Sequence, residues 1–435
     1  MTDSMTDSTT DSTTDSMVGQ SGCPVPQVAS GGCPVLHEAP DLVDPMLHSH
    51  GDPHPLWHHL RQYAPVSWHP VGDSQGFWSV TRYADSGIVL RDYERFTSER
   101  GTMIDLLGKD DPAGGSQLAV TDPPRHTIMR LPLQRALTLK AVQRSEEVIR
   151  AQILRLLMPL ADGGTFDFAH AMLAMPMAVT GVLMGLPRED WERLTRLTTT
   201  CIAPDDPEYR HPHGREKTLQ AAHRELFAYF QDIVRSRQRN LGEDLISILL
   251  KTEFEGRRMS VGETVSNCYS MLLGANVTTP HAPSFAFDHL IGTPQLDDWI
   301  AHPELIRSGV EEALRWASPI TYFMRYAKAD VELSGTQIKA GDAVVVWIRS
   351  ANHDEAEFTN PFFFDIRRRP NHHIAFGAGV HHCVGHSVAR VTLRLLFTEL
   401  FRSFTNFTQT GPAERLSSNF VSGYKHMPMT ASVKG

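Results

Sequence analysis

Cysteine is scarce: the 435-residue chain has five, and none sit at tight regular spacing. A disulfide-built fold is excluded, and such sparse usage suits a reducing compartment. A basic excess is missing as well. With 41 Lys and Arg against 50 Asp and Glu, the net charge is -9, so the clustered positive footprint of a nucleic-acid binder is absent. Residues 1–50 hold seven of the acids and no Lys or Arg, which leaves the rest of the chain close to neutral. The N-terminus has neither the positive n-region nor the apolar h-region of a secretory signal, which points to the cytoplasm. One long uncharged stretch, Phe168 to Leu186, carries His170, Pro176, Thr180 and Gly181. It reads as a buried core helix and not as a membrane span. No Gly-x-Gly-x-x-Gly segment opens a strand-turn-helix unit, so the fingerprint of a built-in dinucleotide domain is lacking.

What is present divides the chain unevenly. Residues 1–17 repeat Met-Thr-Asp-Ser and Thr-Thr-Asp-Ser units, too polar to offset the entropy of ordering. Two near-copies follow, Ser21-Gly-Cys-Pro-Val25 and Gly31-Gly-Cys-Pro-Val35, read as linker with incidental thiols. Residues 1–40 are therefore expected to form a disordered tail, and residues 41–435 a single domain. The 140–160, 219–240 and 388–401 segments carry apolar residues at i, i+3, i+4 spacing and predict helices. Strand signals cluster at Val331-Glu-Leu, Thr336-Gln-Ile and Ala343 to Ile348, separated by Gly turns, and suggest one small antiparallel sheet. The fold class is mainly α with a minor β region.

The chemistry concentrates in Phe376-Gly-Ala-Gly-Val-His-His-Cys-Val-Gly385, which runs into an amphipathic helix beginning near Ser387. A cysteine at a helix N-terminus is readily ionised by the free N–H groups and the dipole there. Gly377, Gly379 and Gly385 permit a tight loop and close approach to a flat ligand. Cys383 is thus a candidate metal ligand, although His381-His-Cys-x-x-His386 can also be read as a zinc cluster.

This segment resembles the haem-binding loop of the cytochrome P450 family, Phe-Gly-x-Gly-x-His-x-Cys-x-Gly, at every fixed position. The resemblance implies a triangular prism of helices with small antiparallel sheets, haem b (iron protoporphyrin IX) as cofactor, and Cys383 as the axial thiolate on its iron. Phe376 would pack beside the porphyrin and His381 would bond a propionate. Arg325 matches the family's propionate-binding arginine. His126 and Arg130, in Asp122-Pro-Pro-Arg-His-Thr-Ile-Met-Arg130, match its other propionate partners, on a helix expected to start with an Asp122 cap. Glu312 and Arg315, three apart on a helix from Pro303 to before Ser318, look like the Glu-x-x-Arg pair that binds a third residue, here Arg368 with Arg367 or Arg369 as register alternatives.

One segment departs from the pattern. The distal helix, opened by the Ser260–Glu263 capping box, is expected to continue through Met271 to Pro280. The family usually shows Ala-Gly-x-Asp/Glu-Thr-Thr there, whose acid and alcohol relay protons. Thr278 matches the alcohol, but Val277 replaces the acid and Ala275 the kink glycine. Valine cannot transfer a proton, so Asn276 or the substrate would have to assist, and Pro280 would open room for a water. By the same resemblance, Ile320, Thr321, Tyr322, Phe323, Leu273, Gly274, Ala275, the Met103–Leu107 loop, Phe420 and Val421 would line the substrate pocket.

The implied activity is a monooxygenase that oxidises a hydrophobic small molecule with dioxygen. The substrate would be a lipid, terpenoid, steroid or secondary-metabolite intermediate, free or carrier-bound. Electrons would come from a ferredoxin and its reductase, docking near Arg367, Arg368 and Arg369. The missing acid leaves open a nitric-oxide-reducing haem-thiolate enzyme, and a gas-binding haem protein is the third alternative.

Overall fold

The computed structural model describes residues 40–254 and 256–435, so all of the expected tail but Pro40, both Cys-Pro segments included, lies outside the described residues. Helices dominate because long apolar stripes must be covered. The Phe168–Met184 helix is buried along most of its length, capped by Asp167 on the His170 N–H and stopped by Gly185 at φ 65°. Its apolar side packs with the helices His281–Leu290, Ile306–Ala317 and His386–Ser403 in a core that includes Phe168, Met172, Phe287, Val310, Leu393 and Phe397. Phe287 and Phe397 stack there with ring centroids 6.1 Å apart. Each such ring contributes about 1.5–3 kcal/mol on burial. The 25-residue helix Arg215–Arg239 places Leu226, Phe230 and Val234 against Leu272 and Cys268 of the helix Val261–Asn276. No helix among the described residues is long and apolar enough to cross a membrane.

Two expected elements come out differently. The 140–160 helix is broken into Leu139–Gln143 and Glu146–Leu157, followed by a 3-10 turn from Met158 to Asp162 where Pro159 cannot extend the α ladder. The strand signals do not form one sheet. Val331–Leu333 and Thr336–Ile338 make a separate hairpin, its turn at Ser334 (φ 48°) and Gly335 (φ 77°). Ala343–Trp347, buried at every residue, is instead the middle strand of a five-stranded mixed sheet. It runs parallel to Gln75–Val80 and antiparallel to Tyr322–Ala327, with Val345 opposite Met324. A strand covered on both faces has to be apolar at every position, which explains its unbroken run of hydrophobic residues.

Several histidines are locked inside this core in the neutral form. Burial pushes His48 down to about 4, and His281 down to about 3, where its ring lies so close to Gly423 that an added Cβ would sit 2.4 Å away. Their folded pKa values lie below the unfolded value near 6.5, so the unfolded chain binds more protons as pH falls. Stability is then full above about pH 6.5 and is lost as pH drops toward 4, by on the order of 1.4 kcal/mol per pH unit per histidine. Urea unfolding at pH 7.5 and pH 5 should show this loss; equal midpoints would contradict it.

Candidate functional site

Cys383 sits just before the helix His386–Ser403, in a loop closed by Cys383 N–H donating to the Phe376 carbonyl at 2.8 Å. Gly379, at φ 69°, lies so close to the chain of the preceding Tyr83–Arg91 helix that a Cβ would meet the Leu90 carbonyl oxygen at 2.6 Å. Gly377 is also left-handed, at φ 70°. Gly385 is not: its φ of -88° suits any residue, and its place beside the Cys383 sulfur, 3.9 Å from its own Cβ position, is what distinguishes it. Phe376 is covered by the Arg390 guanidinium at 4.5 Å, which Glu311 holds through two hydrogen bonds. The expected easy ionisation of Cys383 is not seen in the chain by itself. Burial raises the thiol pKa, outweighing the Gly385 and His386 N–H groups, Arg130 and Arg390. The positive charge of a metal on the sulfur would favour the thiolate. Among the described residues no group of His, Cys, Asp and Glu is arranged to hold a metal, so the zinc reading of His381–His386 finds no support.

Above the loop, four basic side chains crowd together. His381 lies with its ring 4.4 Å from that of His126, and its Nε2 meets the Ser98 hydroxyl at 3.0 Å. Burial, then Arg325, His126 and Arg130, press His381 down to about 2; burial and Arg130 bring His126 to about 4. Arg325 is 4% exposed, with its own Met324 carbonyl as its hydrogen-bond partner, and His126 Nε2 has none. Arg130 donates to the His382 carbonyl. Asp122, the nearby carboxylate, is held by Ser98 through its N–H and hydroxyl and does not cap the helix Arg125–Ala136, which begins after Pro124 without a side-chain cap. Two arginines without a carboxylate partner, beside two histidines that burial keeps neutral, fit the two propionates of a haem, and the glycine-lined thiol loop fits the metal. Haem iron therefore suits the residues present.

Glu312 is fully buried. It accepts two bonds of 2.8 Å from Arg315 and bonds of 3.0 and 3.2 Å from Arg368 Nε. Arg367 is drawn off to Asp298, which settles the register in favour of Arg368. Burial pushes the Glu312 carboxyl up, and these donors more than reverse it, leaving a net lowering. The network reaches the thiol loop through Asn352, which the sequence reading did not assign. Arg315 donates to its carbonyl, its Oδ1 accepts from Ile374 N–H, and Ile374 in turn accepts from Gly377 N–H. This same network thins the expected basic docking patch: Arg368 is buried and Arg367, though exposed, is paired with Asp298, while Arg369 is exposed.

The distal helix has its capping box but ends at Asn276, with Val277 as its C-cap; Pro280, lacking an N–H, precedes a second helix, His281–Leu290. Gly274, Ala275 and Thr278 lie on its accessible side, and the Thr278 hydroxyl donates to the Gly274 carbonyl at 3.1 Å. Asn276 does not join Thr278. At 100° per residue it points nearly opposite, is 3% exposed, and donates to Met177 Sδ, with its Oδ1 unpartnered. Val277 packs with Ile202, Leu416 and Val421, against Leu273, Ile320 and Phe420. Ile320 and Val421 form a β-bridge, so these expected pocket residues come together as one apolar wall. Thr321 is fully buried with its hydroxyl unpartnered. Phe323 belongs to a different cluster, beneath Arg325 at 5.9 Å. Tyr322 turns its hydroxyl to the Met103–Leu107 loop, where the oxygen accepts from Ile104 N–H at 3.2 Å. Met103 borders a small cleft with Asp105, Ile202 and Phe420.

Comparison with known proteins agrees with this geometry. The family model for cytochrome P450 matches residues 297–426. The chain is 32% identical over 395 residues to "Cytochrome P450 NovI" of Streptomyces niveus, covering 89% of this chain and 95% of the relative. It is 32% identical over 402 residues to linalool 8-monooxygenase of Pseudomonas putida, covering 90% and 98%. The Mycobacterium marinum cytochrome P450 CYP268A2, solved in complex with pseudoionone, superposes with a TM-score of 0.84 at 30% identity over 92% of this chain and all of its own.

Proposed function

The chain belongs to the cytochrome P450 family, haem-iron monooxygenases that take a substrate, dioxygen and electrons from redox partners, and from that premise we propose what it oxidises and how its residues assist. The substrate is a hydrophobic small molecule of lipid, terpenoid, steroid or secondary-metabolite type. The apolar wall of Val277, Ile320, Phe420 and Val421 carries this reading. Relatives named linalool 8-monooxygenase, methyl-branched lipid omega-hydroxylase and steroid C26-monooxygenase support it, and they do not favour the nitric-oxide-reducing or gas-binding alternatives. The haem is haem b, the electron donor a ferredoxin with its reductase, the compartment the cytoplasm, and the working domain residues 41–435.

When bound, the haem supplies the redox chemistry that splits dioxygen and places one oxygen atom in the substrate. Cys383 would hold the iron, Arg325, His126, Arg130 and His381 would hold the propionates, and Glu312, Arg315 and Arg368 brace the loop. On the distal side Thr278 holds and passes a proton through its hydroxyl, with Val277 excluding water from the apolar wall. Turnover of a panel of terpenoids, steroids and branched lipids with a ferredoxin system tests the substrate class; oxidation confined to polar substrates would refute it. In Thr278→Ala, product formed per dioxygen consumed should fall several-fold, because a positioned proton donor is removed. Unchanged coupling would mean that protons travel by another route.

A further inference from the structure

Five arginines are buried among the described residues: Arg61, Arg315, Arg325, Arg349 and Arg368. An arginine cannot shed its proton at neutral pH, so each buried one needs a counter-charge. Arg61 has Glu355, and Arg315 and Arg368 share Glu312. Arg325 belongs to the propionate cluster. Arg349 alone of the five has neither a carboxylate in ion-pair range among the described residues nor a place in the haem site.

Its surroundings make this more acute. Arg349 is 6% exposed; its Nη1 donates to the Ser422 hydroxyl at 2.5 Å, and its Nε has no partner. The guanidinium lies 4.9 Å from the Phe285 ring centroid, and a second one, Arg415, lies 5.8 Å from the same ring. Thr321, whose carbonyl accepts from Arg349 N–H, also has an unpartnered buried hydroxyl. The acids in the neighbourhood are committed elsewhere. Asp288 accepts from the Tyr424 hydroxyl, and Asp52 is exposed, accepting from His54 N–H. We propose that Arg349, with Arg415 and the Ser422 hydroxyl, binds a small monoanion, a halide or a carboxylate, behind the Phe420–Ser422 segment. The site lies one residue behind Val421 of the candidate pocket wall, so the anion is either drawn from solution or is the carboxylate of an organic ligand. Burial and the nearby Arg415 already lower the Arg349 pKa to about 10, the strain an anion would relieve.

The test uses the haem-loaded full chain in sulfate buffer at constant ionic strength, titrated with sodium bromide. The wild type should show a saturable rise in Tm of about 3 °C, Arg349→Met should show none, and crystals grown in bromide should give an anomalous peak against Arg349. If Arg349→Met fails to fold, Ser422→Ala keeps the charge and should weaken bromide about tenfold. Decanoate and decanol, compared by Soret shift, separate the sources. Tighter binding of decanoate that depends on Arg349 and is competed by bromide identifies a ligand carboxylate; bromide binding with no difference between the two identifies a solution anion. A flat bromide titration with no anomalous peak, together with no preference for decanoate, overturns the proposal. The bromide arm needs no turnover, so its failure is distinguishable from failure of the monooxygenase reading.

Discussion

Replacing Cys383 by alanine will abolish the thiolate-type, red-shifted Soret band of the reduced, carbon monoxide-treated protein, and turnover with it. The sulfur lies just before a helix, faced by the Gly385 and His386 N–H groups, in a loop where Gly379 leaves no room for a side chain. The other described cysteines offer no replacement. Cys201 and Cys268 are free and buried in the helical core, and burial raises both thiols, Cys201 to about 12. Far-ultraviolet circular dichroism on Cys383→Ala separates loss of ligand from loss of fold, since the basic cluster above the loop is untouched. A folded Cys383→Ala protein that kept the red-shifted band would place the ligand elsewhere and sink the assignment.

Glu312→Gln should have the largest effect on stability. The substitution keeps the size and removes the charge that Arg315 and Arg368 share, leaving two buried guanidinium groups without a counter-ion. Breaking a buried ion network from one side costs about 3–5 kcal/mol, read as a fall in Tm of at least ~5 °C. Haem content should fall as well, because the Arg315–Asn352–Ile374 bonds tie this network to the thiol loop. Arg367→Gln is the contrast. Its pair with Asp298 is half-exposed, and such pairs are worth about 0–1 kcal/mol. Equal destabilisation by the two substitutions would show that Glu312 has no special bracing role.

The motif residues were legible in the chain because their chemistry is local. A cysteine in a glycine-rich loop before a helix, a capping box at Ser260, and Glu312 three residues from Arg315 are all short-range patterns set by backbone sterics and helical spacing. Sequence also identified the buried Phe168–Met184 helix and the mainly helical class, since hydrophobic periodicity reports which faces must be covered. Tertiary structure decided what depends on partners distant in the chain. It chose Arg368 over Arg367 by burying one beside Glu312 and giving the other Asp298. It turned Asn276 toward Met177 and away from Thr278, and put Asp122 on Ser98 instead of on its helix. It drew Ala343–Trp347 out of the local hairpin into the middle of a mixed sheet. It also left Arg349 buried beside Ser422, 73 residues away, without an acid. Sequence spacing fixes which side chains share a helix face or a turn, but the pairing of charges and strands across long separations is set by which arrangement buries the most apolar surface while satisfying each buried polar group.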